Sequence, residues 1–167
     1  MGTIRMIFAI VCVMAGTVIG LYRSAELKKR ERLLSEMVRL LEKMSVQIRY
    51  RALPLGDLFD TLKGDDFINA VLEQSKSETV QNPNWHDAWN NAVNGFPELD
   101  EGDKELLKSV GNSLGGSDTA GQTAMLELNR ELLANRLRGA SENFSKKGAM
   151  YRSVGLLTGL GLAVIII

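Results

Sequence analysis

"AELKKRERLLSEMVRLLEKMSVQIRYRALPL", residues Ala25–Leu55, decides the fold class. Leu27, Leu34, Leu41 and Ile48 recur every seven residues, and Met37 and Met44 fill the alternate positions. This is an apolar seam of about three heptads, the mark of a long helix that buries one stripe. No glycine or proline interrupts it, so a helix is predicted over Ser24–Arg51. At 1.5 Å per residue it would be about 42 Å long. Pro54 stops it, because proline lacks an N–H and biases Leu53 away from helical angles. Pro54 also suits the first position of a short helix through Leu62, with Leu55, Leu58, Phe59 and Leu62 on one face.

Downstream the same signals repeat. Asp65 or Asp66 of "KGDD" can cap a helix carrying Phe67, Ile68, Val71 and Leu72. Asn84 can cap one that carries Trp85, Trp89 and Val93 at a spacing of four. Asp100 can cap a third, with Leu106, Leu107, Val110 and Leu114 as its apolar face. "SLGGSDTAGQ", Ser113–Gln122, then reads as a corner. Gly115 or Gly116 suits the left-handed residue that ends a helix, and Ser117 or Asp118 caps the next. A phosphate-cradling loop is the weaker reading, since no lysine lies between Lys108 and Arg130. The turn residues of the chain are therefore Pro54, Gly115, Gly116 and Asp118. The last long helix carries Leu126, Leu133, Leu137, Ala140, Phe144 and Tyr151 on one seam. Sustained apolar–polar alternation occurs nowhere. The predicted class is all-α: a membrane-anchored helical bundle with two long antiparallel helices forming a stalk and short helices at its distal end.

The membrane enters through the two ends. Met6–Tyr22 is a run of 17 residues without a charge, near the lower limit for a membrane-spanning helix. A cleaved signal peptide competes with that reading, but the helical pattern runs on past Tyr22 without a break. Ser153–Ile167 is apolar on nearly every face, and spans only if the helix begins near Ala149 with Arg152 snorkelling. Basic residues follow the first run (Arg23, Lys28, Lys29, Arg30, Arg32) and precede the second (Arg136, Arg138, Lys146, Lys147, Arg152), whereas only Arg5 lies outside. This asymmetry places the middle of the chain in the cytoplasm. The expected organisation is an N-terminal anchor at 1–22, a cytoplasmic all-helical domain at 23–152 and a C-terminal membrane segment at 153–167. Gly16/Gly20 and Gly155/Gly159 each form a G-x-x-x-G pair, a spacing that lets helix backbones approach closely in a membrane.

Charge is balanced, with 20 basic and 20 acidic side chains, but unevenly placed. Residues 23–51 hold nine basic and four acidic side chains, whereas 57–118 hold thirteen acidic and four basic. The acidic cluster Glu98, Asp100, Glu101, Asp103 and Glu105 is a candidate contact for a basic partner, or simply the charged start of a helix. Trp85 and Trp89 read as core rather than as a base-stacking stripe, because their acidic surroundings would repel phosphate. His86, the one histidine, lacks metal-ligand spacing, and Cys12, the one cysteine, reads as a small packed apolar residue. No nucleophile–base set and no phosphate-binding G-x-x-x-x-G-K-[ST] motif occurs. The expectation is a protein without catalytic residues, metal, cofactor, nucleic acid or small-molecule substrate, whose work is assembly.

The order of "LLEKMSVQIRYRALPLGDLFDTL", a tryptophan helix, "LKSVGNSLGGSDTAGQTAML" and the closing "LLTGLGLAVIII" resembles the stage III sporulation protein AB family over nearly the whole chain. The best markers are Ile48, Tyr50, Pro54 and Leu55, then Leu114, Gly115, Asp118 and Gln122. Leu53 stands where the family often has threonine, and Gln47 where it commonly has an acid. The resemblance implies a non-enzymatic platform subunit of the channel complex that links mother cell and forespore. Such proteins lie in the mother-cell-derived membrane around the forespore. Their cytoplasmic domain is similar to that of type II secretion inner-membrane platform proteins. The implied partners are the complex's secretion-type ATPase and its other subunits. A platform subunit of another secretion or pilus system, and a membrane-tethered coiled-coil signalling module, are the competing expectations.

Overall fold

The structure is a computed structural model and describes residues 2–51, 53–76 and 84–166, without the side chains of 2–5, 8, 9, 12, 162, 163, 165 and 166. Arg5 and Cys12, to which the sequence assigns an outside charge and a packed core position, therefore lie outside the described side chains. Six helices and no strand occur among the described residues: α1 Gly2–Arg51, α2 Leu55–Thr61, α3 Asp66–Lys76, α4 Trp85–Asn94, α5 Glu101–Ser113 and α6 Thr119–Ile166. The first apolar run and the seam belong to one helix of 50 residues, and the last seam and the closing apolar run to one of 48.

The caps follow the short polar side chains. Asn84 accepts from the backbone N–H groups of His86 and Asp87 at the start of α4. Asp100 and Asp103 form a reciprocal capping box at the start of α5. Asp118 accepts from the Gly121 N–H at the start of α6 (2.9 Å). Asp65, rather than Asp66, caps α3, accepting from the Phe67 N–H at 3.3 Å. Pro54 precedes α2 instead of opening it, with extended angles of φ −55° and ψ 151°. Its carbonyl takes the first helical bond, from the Leu58 N–H at 2.9 Å. A proline in that place forces the chain out of α1 and starts α2 in one residue.

The chain divides into two compact units. Unit 1 is residues 1–32 with 138–167, and unit 2 is 33–137. Unit 2 holds most of the buried apolar side chains. The α1 seam is buried from Leu34 through Met37, Leu41 and Met44 to Ile48, and the α6 seam at Leu126 and Leu133. Arg49 of α1 and Glu127 of α6 are ion-paired at 2.6 Å. The short helices assemble around Trp89, which is 1% exposed. Its ring lies 4.7 Å from Phe67 edge-on and 6.1 Å from Phe59 in a stack. Its indole N–H donates to the Leu107 carbonyl at 2.8 Å, which ties α4 to α5. Burying a large aromatic with its one polar atom satisfied gives the apolar gain without an orphaned donor.

In unit 1 the two long helices run antiparallel. Gly16 meets Gly155 and Gly159, Gly20 meets Tyr151 and Gly155, and Ser24 meets Gly148, so numbers rise on one helix as they fall on the other.

Candidate functional site

All four glycines of the two G-x-x-x-G pairs come together in unit 1. A Cβ added to Gly16 would stand 2.5 Å from the Gly155 carbonyl oxygen, and one added to Gly155 would stand 2.5 Å from that of Gly16. The approach is reciprocal: each glycine turns a hydrogen, where any other residue would turn a carbon, toward its partner's carbonyl. Gly20 makes the same approach to the Tyr151 carbonyl at 2.5 Å. Such backbone-to-backbone packing is open only to glycine and admits weak Cα–H···O bonds.

Around this seam the side chains point outward and are apolar. Met6, Ile7, Ile10, Val11, Met14, Val18 and Ile19 of α1 are exposed, as are Val154, Leu156, Leu157, Leu160 and Val164 of α6. Scattered exposed leucines are ordinary; this many large apolar side chains exposed along one helix pair are not. The threonine hydroxyls within the band are bonded to their own helices. Thr17 donates to the Val13 carbonyl and Thr158 to the Val154 carbonyl, both at 2.8 Å and both one turn back on the same helix. Among the described residues no helix is long and apolar enough to cross a membrane.

The acidic cluster in unit 2 is divided by burial. Asp103 is wholly buried and serves the α5 cap. Asp100 is exposed but its carboxylate holds the Asp103 N–H at 2.8 Å. Glu101 and Glu105 stand in solvent, Glu101 reaching Lys104 at 3.3 Å, and Glu98 is half-buried. The guanidinium of Arg136 lies over Gly102 in the same turn, within 3 Å of where a Cβ would be. The surface available to a basic partner is thus Glu101 and Glu105 with the edge of Glu98. Asp103 has no part in it.

The corner at Ser113–Gln122 is built from backbone and one amide. Gly115 takes the left-handed conformation, φ +76°, and it is the glycine that ends α5. Its N–H donates to Gln122 Oε1 at 3.3 Å, while Gln122 Nε2 donates to the Ser117 carbonyl at 2.8 Å. One glutamine side chain therefore holds both arms of the turn. Leu55 of α2 packs against Gly115, 3.4 Å from the place of a Cβ, so the Pro54 corner and the glycine corner touch. Beside them Arg49, Thr119, Thr123 and Glu127 line an open groove of about 480 Å³, and Tyr50 projects into solvent, 79% exposed.

His86 binds the Gly111 carbonyl through Nδ1 at 2.7 Å, a structural contact between α4 and α5. No group of three or more His, Cys, Asp or Glu side chains that could hold a metal occurs among the described residues. Trp89 offers no face to a base because it is buried. Gly111, which seats Trp89, and Gln122, which closes the corner, carry no sequence signal of these roles.

A protein-family model described as stage III sporulation protein AB matches residues 5–167. Neither the curated proteins nor the solved structures include a match.

Proposed function

The chain belongs to the stage III sporulation protein AB family, and from that premise we propose that it is a non-enzymatic platform subunit of the sporulation channel complex linking mother cell and forespore. In this reading unit 1 sits in the mother-cell-derived membrane around the forespore. Unit 2 stands in the cytoplasm and engages the complex's secretion-type ATPase. The observation that carries the reading is the exposed apolar band of unit 1. Both helices turn large aliphatic side chains outward, pair through glycine backbones, and return their threonine hydroxyls to their own carbonyls. The exposed aliphatic side chains are costly in water, and all three features suit hydrocarbon, where backbone and hydroxyl groups need internal partners. From Met6 to Tyr22 the band rises about 24 Å at 1.5 Å per residue. That falls short of the roughly 30 Å of a bilayer core, so the pair enters the membrane with the bilayer thinned around it. The acidic unit 2, through Glu101 and Glu105, supplies the contact for a basic face of the ATPase.

The test is co-purification of the tagged full chain from membranes of sporulating cells washed in alkaline carbonate. The expected result is retention in the membrane pellet with the ATPase and other channel subunits recovered. Release by carbonate, or recovery of none of those proteins, overturns the reading. Reversing Glu101 and Glu105 to lysine is expected to reduce ATPase recovery; unchanged recovery removes that surface from the contact.

A further inference from the structure

The division into units is also a division of charge. Unit 1 holds ten basic and three acidic side chains, a net of +7, and unit 2 holds ten basic and seventeen acidic, a net of −7. Within unit 1 the cations are gathered at one level. The contacts of Gly20 with Tyr151 and of Ser24 with Gly148 fix the register of the helix pair. With Ser24 opposite Gly148, the positions of Arg23, Lys28 and Lys29 on α1 and of Lys146, Lys147 and Arg152 on α6 fall within about 14 Å along the axis. All six are exposed. The band begins where the apolar one ends, beside exposed Tyr22 and Met150.

Part of this charge is already answered. Arg23 pairs with Glu26 at 3.2 Å and Lys146 with Glu142 at 3.3 Å, and Arg152 Nε donates to the Gly148 carbonyl. Lys28, Lys29 and Lys147 have no anionic partner among the described residues. Glu31 is the only other acid in unit 1. Three exposed ammonium groups, about one to two turns beyond an apolar band, match a phosphodiester attached to acyl chains. The lysine stems lie along the apolar surface while the ammoniums reach the headgroups. An unattached phosphate would gain nothing from the apolar band beside the lysines.

We propose that Lys28, Lys29 and Lys147 form a binding site for anionic phospholipid headgroups, so that unit 1 gathers anionic lipid around itself. The proposal rests on the reading that unit 1 lies in a bilayer, and the experiment separates the two. The full chain is reconstituted into phosphatidylcholine vesicles containing a trace of spin-labelled phosphatidylglycerol or spin-labelled phosphatidylcholine. The protein-bound fraction of each label is then compared. A lipid preference of about two- to fivefold for phosphatidylglycerol is expected at low salt, from charges that each act near a headgroup. It should fall toward unity at about 1 M salt, where screening acts within about 3 Å. The triple variant Lys28→Gln/Lys29→Gln/Lys147→Gln should lose most of the preference. Lys63→Gln in unit 2, a lysine paired with Asp60 at 2.7 Å, should keep it. Incorporation without preference overturns the lipid site and leaves the membrane reading standing. A chain that does not associate with the vesicles overturns both. Loss of the preference on adding inorganic phosphate at constant ionic strength assigns the lysines to free phosphate and overturns the lipid site.

Discussion

Replacing Gly111 by alanine tests the packing of unit 2 at its tightest point. In the middle of a helix this change is normally favourable, since alanine exceeds glycine in helix propensity by about 1 kcal/mol. Here the added Cβ would fall 2.2 Å from Trp89 Cδ1, 2.6 Å from Cγ and 2.7 Å from Nε1. Those are ring atoms of a rigid group, and the ring has nowhere to go. Phe67 stands against it at 4.7 Å, Phe59 at 6.1 Å, and its N–H is held by the Leu107 carbonyl at 2.8 Å. Relief requires moving α5 off α4, which also stretches the bond between His86 and the Gly111 carbonyl. Overpacking of this kind costs about 1–3 kcal/mol, and a weakened indole hydrogen bond adds about 1 kcal/mol. After the propensity gain is subtracted, Gly111→Ala should destabilise by about 1–3 kcal/mol. In a chain of this size that lowers the unfolding midpoint by roughly 2–10 °C.

The assay is thermal unfolding of the full chain in detergent, followed by tryptophan fluorescence. Both tryptophans, Trp85 and Trp89, lie in the affected core. Gly139→Ala is the matched comparison. Gly139 is exposed in α6 and a Cβ there meets nothing within 4 Å, so propensity alone should act and raise stability by up to about 1 kcal/mol. If Gly111→Ala is as stable as the parent, Trp89 does not pack on Gly111 and the account of the α4–α5 contact is wrong.

Three further outcomes follow from named contacts. Gly115→Ala should cost about 1–2 kcal/mol because a left-handed angle is imposed on an L side chain, whereas Gly116→Ala, whose Cβ would meet only the Ser113 carbonyl at 3.4 Å, should cost much less; equal unfolding midpoints would refute the assignment of the corner. Asp100→Ala removes the α5 cap and should lower stability by about 1 kcal/mol, read from denaturant unfolding of the full chain. Ser24→Cys with Gly148→Cys, in a Cys12→Ser background, should oxidise to a disulfide within one chain, because Ser24 Oγ lies 3.2 Å from the place of a Gly148 Cβ; a peptide pair joined by that bond in mass spectrometry is the expected result, and only chain-to-chain dimers would refute the antiparallel register.

What could be read in the sequence depended on whether the signal was local. Asn84, Asp100 and Asp118 cap helices through bonds to residues two or three positions on, so the residue type and the following apolar face suffice. The heptad seam is likewise visible, because burial of Leu34, Leu41 and Ile48 repeats with the helix. The choices between neighbours were not visible. Gly115 and Gly116 are chemically identical, and only the placement of Leu55 and the reach of Gln122 make the first one the left-handed residue. Asp103 looked like one acid among five, and its burial depends on which face of α5 turns inward. Gly111 is the extreme case, since a glycine inside an amphipathic helix reads as a defect until the tryptophan seated on it is known.

The glycines of unit 1 stand between these cases and show what spacing alone can carry. The four-residue intervals indicate that two backbones can meet, but equally within one chain or between two. Reciprocal contact of Gly16 with Gly155 resolves that in favour of the chain's own ends. The consequence reaches past packing. A helix pair that satisfies its small faces internally turns large aliphatic side chains outward along one stretch and mainly basic ones along the next. On the proposed reading of unit 1, the aliphatic stretch meets acyl chains and the basic level beside it meets acidic headgroups.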